Sequence, residues 1–184
     1  MTITTIRSVG FCAHYSAPGD WAFEFALGLA KRKDLPLNVF HFLSNPYDPT
    51  DDTSRVLPVD IRDRLAIRLE KELRLYYDSR AGEYLEVGFR LCEDNEWTEL
   101  HRCLMERQFQ LLVLGYVDSG ITFAGKPIEV FADSFVSPTV LVGPNRADEY
   151  LLNTRAALIA DQIGLEPGSW KTIAPDQSKI QATG

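Results

Sequence analysis

Leu111–Pro144, LLVLGYVDSGITFAGKPIEVFADSFVSPTVLVGP, is the stretch whose reading decides the fold. It opens on the apolar run Leu111-Leu112-Val113-Leu114 and breaks at Gly115. A loop carrying Gly120 and Gly125 follows, then a segment of helical period over 127–135, then a second apolar run from Thr139 to Val142. Two short apolar runs joined by a loop and a helix describe a crossover between parallel strands, because parallel neighbours need a connection of about a dozen residues or more. Glycines between a strand end and a helix start let backbone N–H groups approach an anion, and the helix dipole favours negative charge there.

Working outward, the same alternation recurs. Ser8–Ala13 reads as a buried strand, and the turn His14–Asp20 follows, with Asp20 placed to cap a helix from Trp21 to Lys33. Leu37–Leu43 is the second strand, and Ser44–Pro58 is a proline- and aspartate-rich loop. A helix from Asp60 to near Gly82 aligns Ile61, Leu65, Leu69, Leu73 and Tyr76 on one face. Tyr84–Cys92 is the third strand, and Trp97–Gln108 the next helix, ahead of the fourth strand at Leu111. Alternating strands and helices of these lengths specify a doubly wound, Rossmann-like parallel sheet in three α/β/α layers. The domain is expected over residues 7–144. Residues 145–184 are expected to be a C-terminal helical arm over Arg146–Ile163 and a tail over Gly164–Gly184, whose composition leaves docking or disorder open.

Composition narrows the function classes. The chain has 184 residues, 45% apolar and 24% charged, with net charge −7. Such a balance describes an ordinary globular protein and offers no basic field for nonspecific nucleic-acid binding. No membrane-length apolar run or signal-peptide pattern is present, so a cytoplasmic location with no membrane contact is the expectation. Cys12, Cys92 and Cys103 are odd in number and scattered, which reads as reduced thiols without a metal site.

Gly120–Pro127 fits G-x-x-x-x-G-K, but Pro127 stands where a phosphate-binding P-loop needs a hydroxyl for magnesium, which removes the NTPase reading. Gly125 and the N–H of Lys126 remain candidates for facing an anion at the helix start. His14 sits at the first strand tip, where open α/β sheets bind ligands, yet no nucleophile and orienting partner stand beside it in sequence. His41 reads as a satisfied core histidine and His101 as a solvent-facing one. Asp48, Asp51 and Asp52 lack cation-loop spacing and read as a solvated loop face, while Trp170, Tyr76 and Tyr77 read as core or interface aromatics.

The order of elements, with Gly115 and Gly125 preceding the Ser137-Pro138-Thr139-Val140-Leu141-Val142 run, resembles the universal stress protein family. Ala26–Lys31 resembles that family's first helix, and Asn38–His41 its second strand; the likeness spans about residues 7–144. The chain departs from the family's ATP-binding pattern in four places, one being the second glycine position, near which Asp118 or Ser119 stands. The loop between Gly115 and Gly125 is shorter, Lys126 replaces a hydroxyl residue, and His14 replaces the acidic residue closing the first strand.

The resemblance implies an adenine-nucleotide alpha hydrolase-like fold with strand order 3-2-1-4-5 and a homodimer through the fifth strand, Thr139–Val142. It also implies a nucleotide (ATP, ADP or AMP, with Mg²⁺ only alongside it) held by His14, Ser16, Phe42, Gly115, Gly120, Gly125 and Lys126. The expected function is a regulatory module that binds an adenine nucleotide or other anion without turnover, with no catalytic residue assigned. The alternative is a nucleotide-free homodimeric interaction protein with an unidentified protein partner, using the C-terminal arm.

Overall fold

The computed structural model describes residues 5–92 and 97–173. Within them, Val9–Cys12 (β1), Leu37–Phe42 (β2), Val87–Cys92 (β3), Leu111–Gly115 (β4) and Thr139–Val142 (labelled β7) form a parallel array. The helices between them are Ala17–Lys33 (α1), the single turn Thr53–Val56 (α2), Val59–Ala81 (α3), Trp97–Met105 (α4) and Ile128–Ser134 (α5). A two-stranded hairpin, Thr122–Phe123 (β5) and Lys126–Pro127 (β6), lies in the β4–α5 connection.

The strands read as continuous apolar runs because both faces of the sheet are covered, and their side chains alternate between two cores. Phe11, Val39, Val113 and Val140 point into the core under α1 and α3. Cys12, Phe40, Leu112 and Leu141 point into the core under α4 and α5. The order β3-β2-β1-β4-β7 is the expected one, with the reversal between β1 and β4. Ligands of doubly wound sheets bind in the crevice at such a reversal.

The C-terminal region departs from expectation. In place of an amphipathic helix over Arg146–Ile163 there is a strand Tyr150–Leu152 (β8), one helical turn Thr154–Ala157 (α6), and a further strand Trp170–Thr172 (β9). β8 pairs antiparallel with β7, and β9 pairs parallel with β8, making a seven-stranded sheet. The helical period was real, since Ala156, Ile159 and Ile163 are all buried, but turns and short elements deliver them to the core. The Thr139–Val142 edge expected to meet a second copy is therefore already hydrogen-bonded to this chain's own residues 150–152. That pairing answers the physical need for edge protection intramolecularly. Residues 174–184 of the expected tail lie outside the described residues. Among the described residues no helix is long and apolar enough to cross a membrane.

Asn153 fastens the extension. Its buried side-chain oxygen accepts the N–H groups of Thr139 (3.0 Å) and Ala156 (2.9 Å), and its nitrogen donates to the carbonyls of Ala132 and Ser137, both at 2.9 Å. One side chain thus ties β7, α5 and α6 together.

Candidate functional site

At the tip of β1 the chain turns through His14 and Tyr15 into α1. Ser16, not Asp20, is the helix cap: its Oγ accepts the Gly19 N–H at 3.0 Å. The same oxygen lies 2.9 Å from His14 Nδ1. Ser16, grouped with His14 among the residues the resemblance implies, thus places its hydroxyl beside the imidazole, with the oxygen engaged as a cap. Asp20 sits in the first turn, where its carboxylate suits the dipole and accepts the Tyr76 hydroxyl at 2.6 Å. Burial lowers the His14 pKa and favours the neutral ring.

The loop after β2 reaches over the sheet reversal. Tyr47 is buried, packs at a tilt of 54° against His14 with ring centroids 4.3 Å apart, and donates its hydroxyl to the Gly115 carbonyl at 2.9 Å. The Pro46 carbonyl accepts the Ala124 N–H at 2.9 Å, joining this loop to the β5–β6 hairpin. A phenol ring therefore occupies the gap between the β1 and β4 tips. Asp48 and Asp51 accept hydrogen bonds from the loop's own Thr50, Asn45 and Thr53, so they shape the turn.

The glycine loop has three glycines with three different reasons. A Cβ on Gly115 would lie 2.8 Å from Gly19 N, so β4 and the start of α1 touch backbone to backbone. Gly120 adopts φ +71° and donates its N–H to Glu129 Oε1 at 2.8 Å. Gly125, at φ +84°, follows Ala124 at φ +52° in the hairpin turn, and a Cβ there would meet nothing within 4 Å. Two successive positive φ values are what a tight two-residue hairpin requires.

Glu129 lies in the first turn of α5 and also accepts the Tyr116 hydroxyl. Burial pushes its carboxyl up, but the hydrogen bonds from Tyr116 and Gly120 outweigh this and hold it below the usual range. The N–H of Gly120, one of the residues the resemblance implies for a nucleotide, thus faces the chain's own carboxylate. Lys126 is exposed on β6, directly before the α5 cap Pro127, and lines a separate cavity of about 210 Å³ with His101 and Phe131.

The cavity that remains at the strand tips lies between β1, β2 and α3. It has a volume of about 360 Å³ and is lined by His14, Tyr15, His41, Phe42, Leu69 and Leu73, among others. Its size suits a small ligand. His41 is 5% exposed, and its Nε2 has no hydrogen-bond partner, so the ring is not the satisfied core histidine expected. Burial lowers its pKa first; nearby Arg74 adds to this and Glu70 opposes it.

The structure thus brings His14 and Phe42 together around one cavity with Ser16 beside His14, and places Gly120, Gly125 and Lys126 elsewhere. Tyr47, Glu129 and the cavity-facing His41 were missed. An acidic residue in a helix's first turn after a glycine loop was the one available signal, at Glu129. Among the described residues no three His, Cys, Asp or Glu side chains converge on a metal position.

No family model and no curated protein matches the chain. Solved structures do. A universal stress protein solved in complex with cAMP superposes with TM-score 0.53 at 18% identity, covering 77% of this chain and 100% of that one. A hypothetical protein gives TM-score 0.50 at 17% identity over 73% of this chain and 94% of its own. A universal stress protein from Archaeoglobus fulgidus gives 0.49 at 14% identity over 75% and 98%. At these identities the likeness is one of fold: the chain has the α/β architecture of the universal stress proteins.

Proposed function

We propose that the protein is a regulatory ligand-binding module without turnover, which takes a nucleoside-sized, uncharged ligand at the tips of β1 and β2. The observation that carries this reading is the cavity of about 360 Å³ lined by the buried His41, whose Nε2 has no hydrogen-bond partner. A ligand with an apolar ring face would pack on Phe42 and Leu69 beside the His41 ring. A structure of this fold in complex with cAMP supports a ligand of the nucleoside class. The Glu129 carboxylate on the Gly120 N–H speaks against a nucleotide phosphate in the glycine loop, since two like charges would share one donor. With no phosphate held there, no Mg²⁺ is called for.

The nucleotide-free interaction protein is the second reading, favoured by Tyr47 filling the gap at the sheet reversal. One experiment separates them. The purified protein is denatured and its released small molecules identified, and thermal shifts are measured with adenosine, cAMP and ATP. The proposal expects stabilisation by adenosine that phosphates do not increase. ATP released at one per chain, or a larger shift with ATP than with adenosine, would overturn it. No shift with any of them would favour the interaction protein.

A further inference from the structure

A third cavity, of about 430 Å³, lies on the outer side of α1 where the C-terminal extension crosses it. Trp21 and Phe25, one helical turn apart on α1, form one wall, and Tyr150 of β8 faces them. The Phe25 and Tyr150 rings are 5.2 Å apart and tilted by 47°. All three rings are half-buried, each packed by one side on the core. Glu24 and Asp148 supply carboxylates on the rim. Asp148 has a salt bridge to Arg146 at 3.4 Å, but both side chains are over 70% exposed, at 77% and 71%, so solvent screens the pair.

Arg32 closes the far end. A Cβ on Gly164 would lie 3.1 Å from its Nη2, and one on Gly28 would lie 3.3 Å from its Nη1. Two glycines therefore leave the space in which this guanidinium lies, within the same cavity and close enough to Tyr150 for its charge to act on that hydroxyl. Aromatic faces are electron-rich and attract a weakly hydrated organic cation, more so when carboxylates stand at the rim. The chain's net charge of −7 adds a long-range field of the same sign.

We propose that this cavity, walled by Trp21, Phe25 and Tyr150 and rimmed by Glu24 and Asp148, binds a small ligand through an alkylated ammonium group. The site is independent of the strand-tip cavity. It exists only because the extension folds back on α1, which makes it a property of this chain's own elaboration of the fold.

The test is calorimetric titration of the whole chain with tetramethylammonium chloride, choline and trimethylglycine, against sodium chloride as control. Saturable binding of the organic cations is expected, weakened about tenfold by Trp21→Leu. Because Trp21 also packs on the core, Glu24→Lys is the second variant: Glu24 is exposed on the helix, so binding should fall with the melting temperature unchanged. A preference for trimethylglycine that Arg32→Ala removes would show the guanidinium holding a carboxylate; equal binding of choline would show the ammonium group sufficing. Heats no different from sodium chloride, or affinities untouched by both Trp21→Leu and Glu24→Lys, would overturn the proposal.

Discussion

The Glu129 carboxylate accepts the backbone N–H of Gly120 at 2.8 Å, so the glycine loop closes on an anion that the chain itself provides. Glu129→Gln keeps the shape and removes the charge. It should cost about 1–2 kcal/mol at neutral pH, read by urea denaturation. A carboxyl held below its reference value of 4.5 contributes stability in full above that pH and loses it as pH falls through the lowered folded value. The gap between wild type and variant should therefore close in acid. A gap that persists there would assign the loss to packing.

Tyr47 is held by one hydroxyl bond and by its ring. Tyr47→Phe should cost about 1–2 kcal/mol, because the buried Gly115 carbonyl loses its phenol donor. Tyr47→Ala should cost about 3–5 kcal/mol and open the gap between the β1 and β4 tips. If the alanine variant gains ATP binding that wild type lacks, the phenol is a plug in a nucleotide crevice.

His14 and His41 both have pKa values lowered from 6.5 by burial. A group that binds its proton less well when folded adds no penalty above pH 6.5, and destabilises as pH falls from there toward the lowered folded value. Thermal midpoints should therefore drop on acidification below pH 6.5, and His41→Asn should flatten that limb. An unchanged slope in the variant would place the pH response on other groups.

Asn153 makes four buried hydrogen bonds to three segments. Asn153→Ala should cost about 3 kcal/mol, since it strands the Thr139 N–H and the Ala132 carbonyl. Limited proteolysis should then cut within residues 145–173 before the rest of the chain. Uniform cleavage would mean that the extension and the sheet unfold as one unit.

Gly115→Ala and Gly125→Ala should separate a packing glycine from a turn glycine. The first places a Cβ 2.8 Å from the Gly19 backbone and should cost about 2–3 kcal/mol. The second meets no atom within 4 Å and carries only the left-handed backbone penalty, about 1 kcal/mol. Equal costs would contradict this placement of the two residues.

Sequence alone determined the parallel sheet and the order in which helices and strands alternate. The reason is periodicity: runs such as Leu111–Leu114 must bury both faces, and only a sheet covered on both sides by helices allows it. That the tip of β1 and Phe42 lie together at the strand ends was legible for the same reason, since topology alone puts strand C-termini at the crevice. What only the tertiary structure decided is who fills each space. Glu129 and Tyr47 reach Gly120 and Gly115 across 9 and 68 residues, and local pattern carries no record of such contacts. The extension was misread as a helix because Ala156, Ile159 and Ile163 share a spacing that turns satisfy equally well once Asn153 pins them to β7 and α5. Hydrogen bonds between distant segments, rather than hydrophobic period, settled those choices.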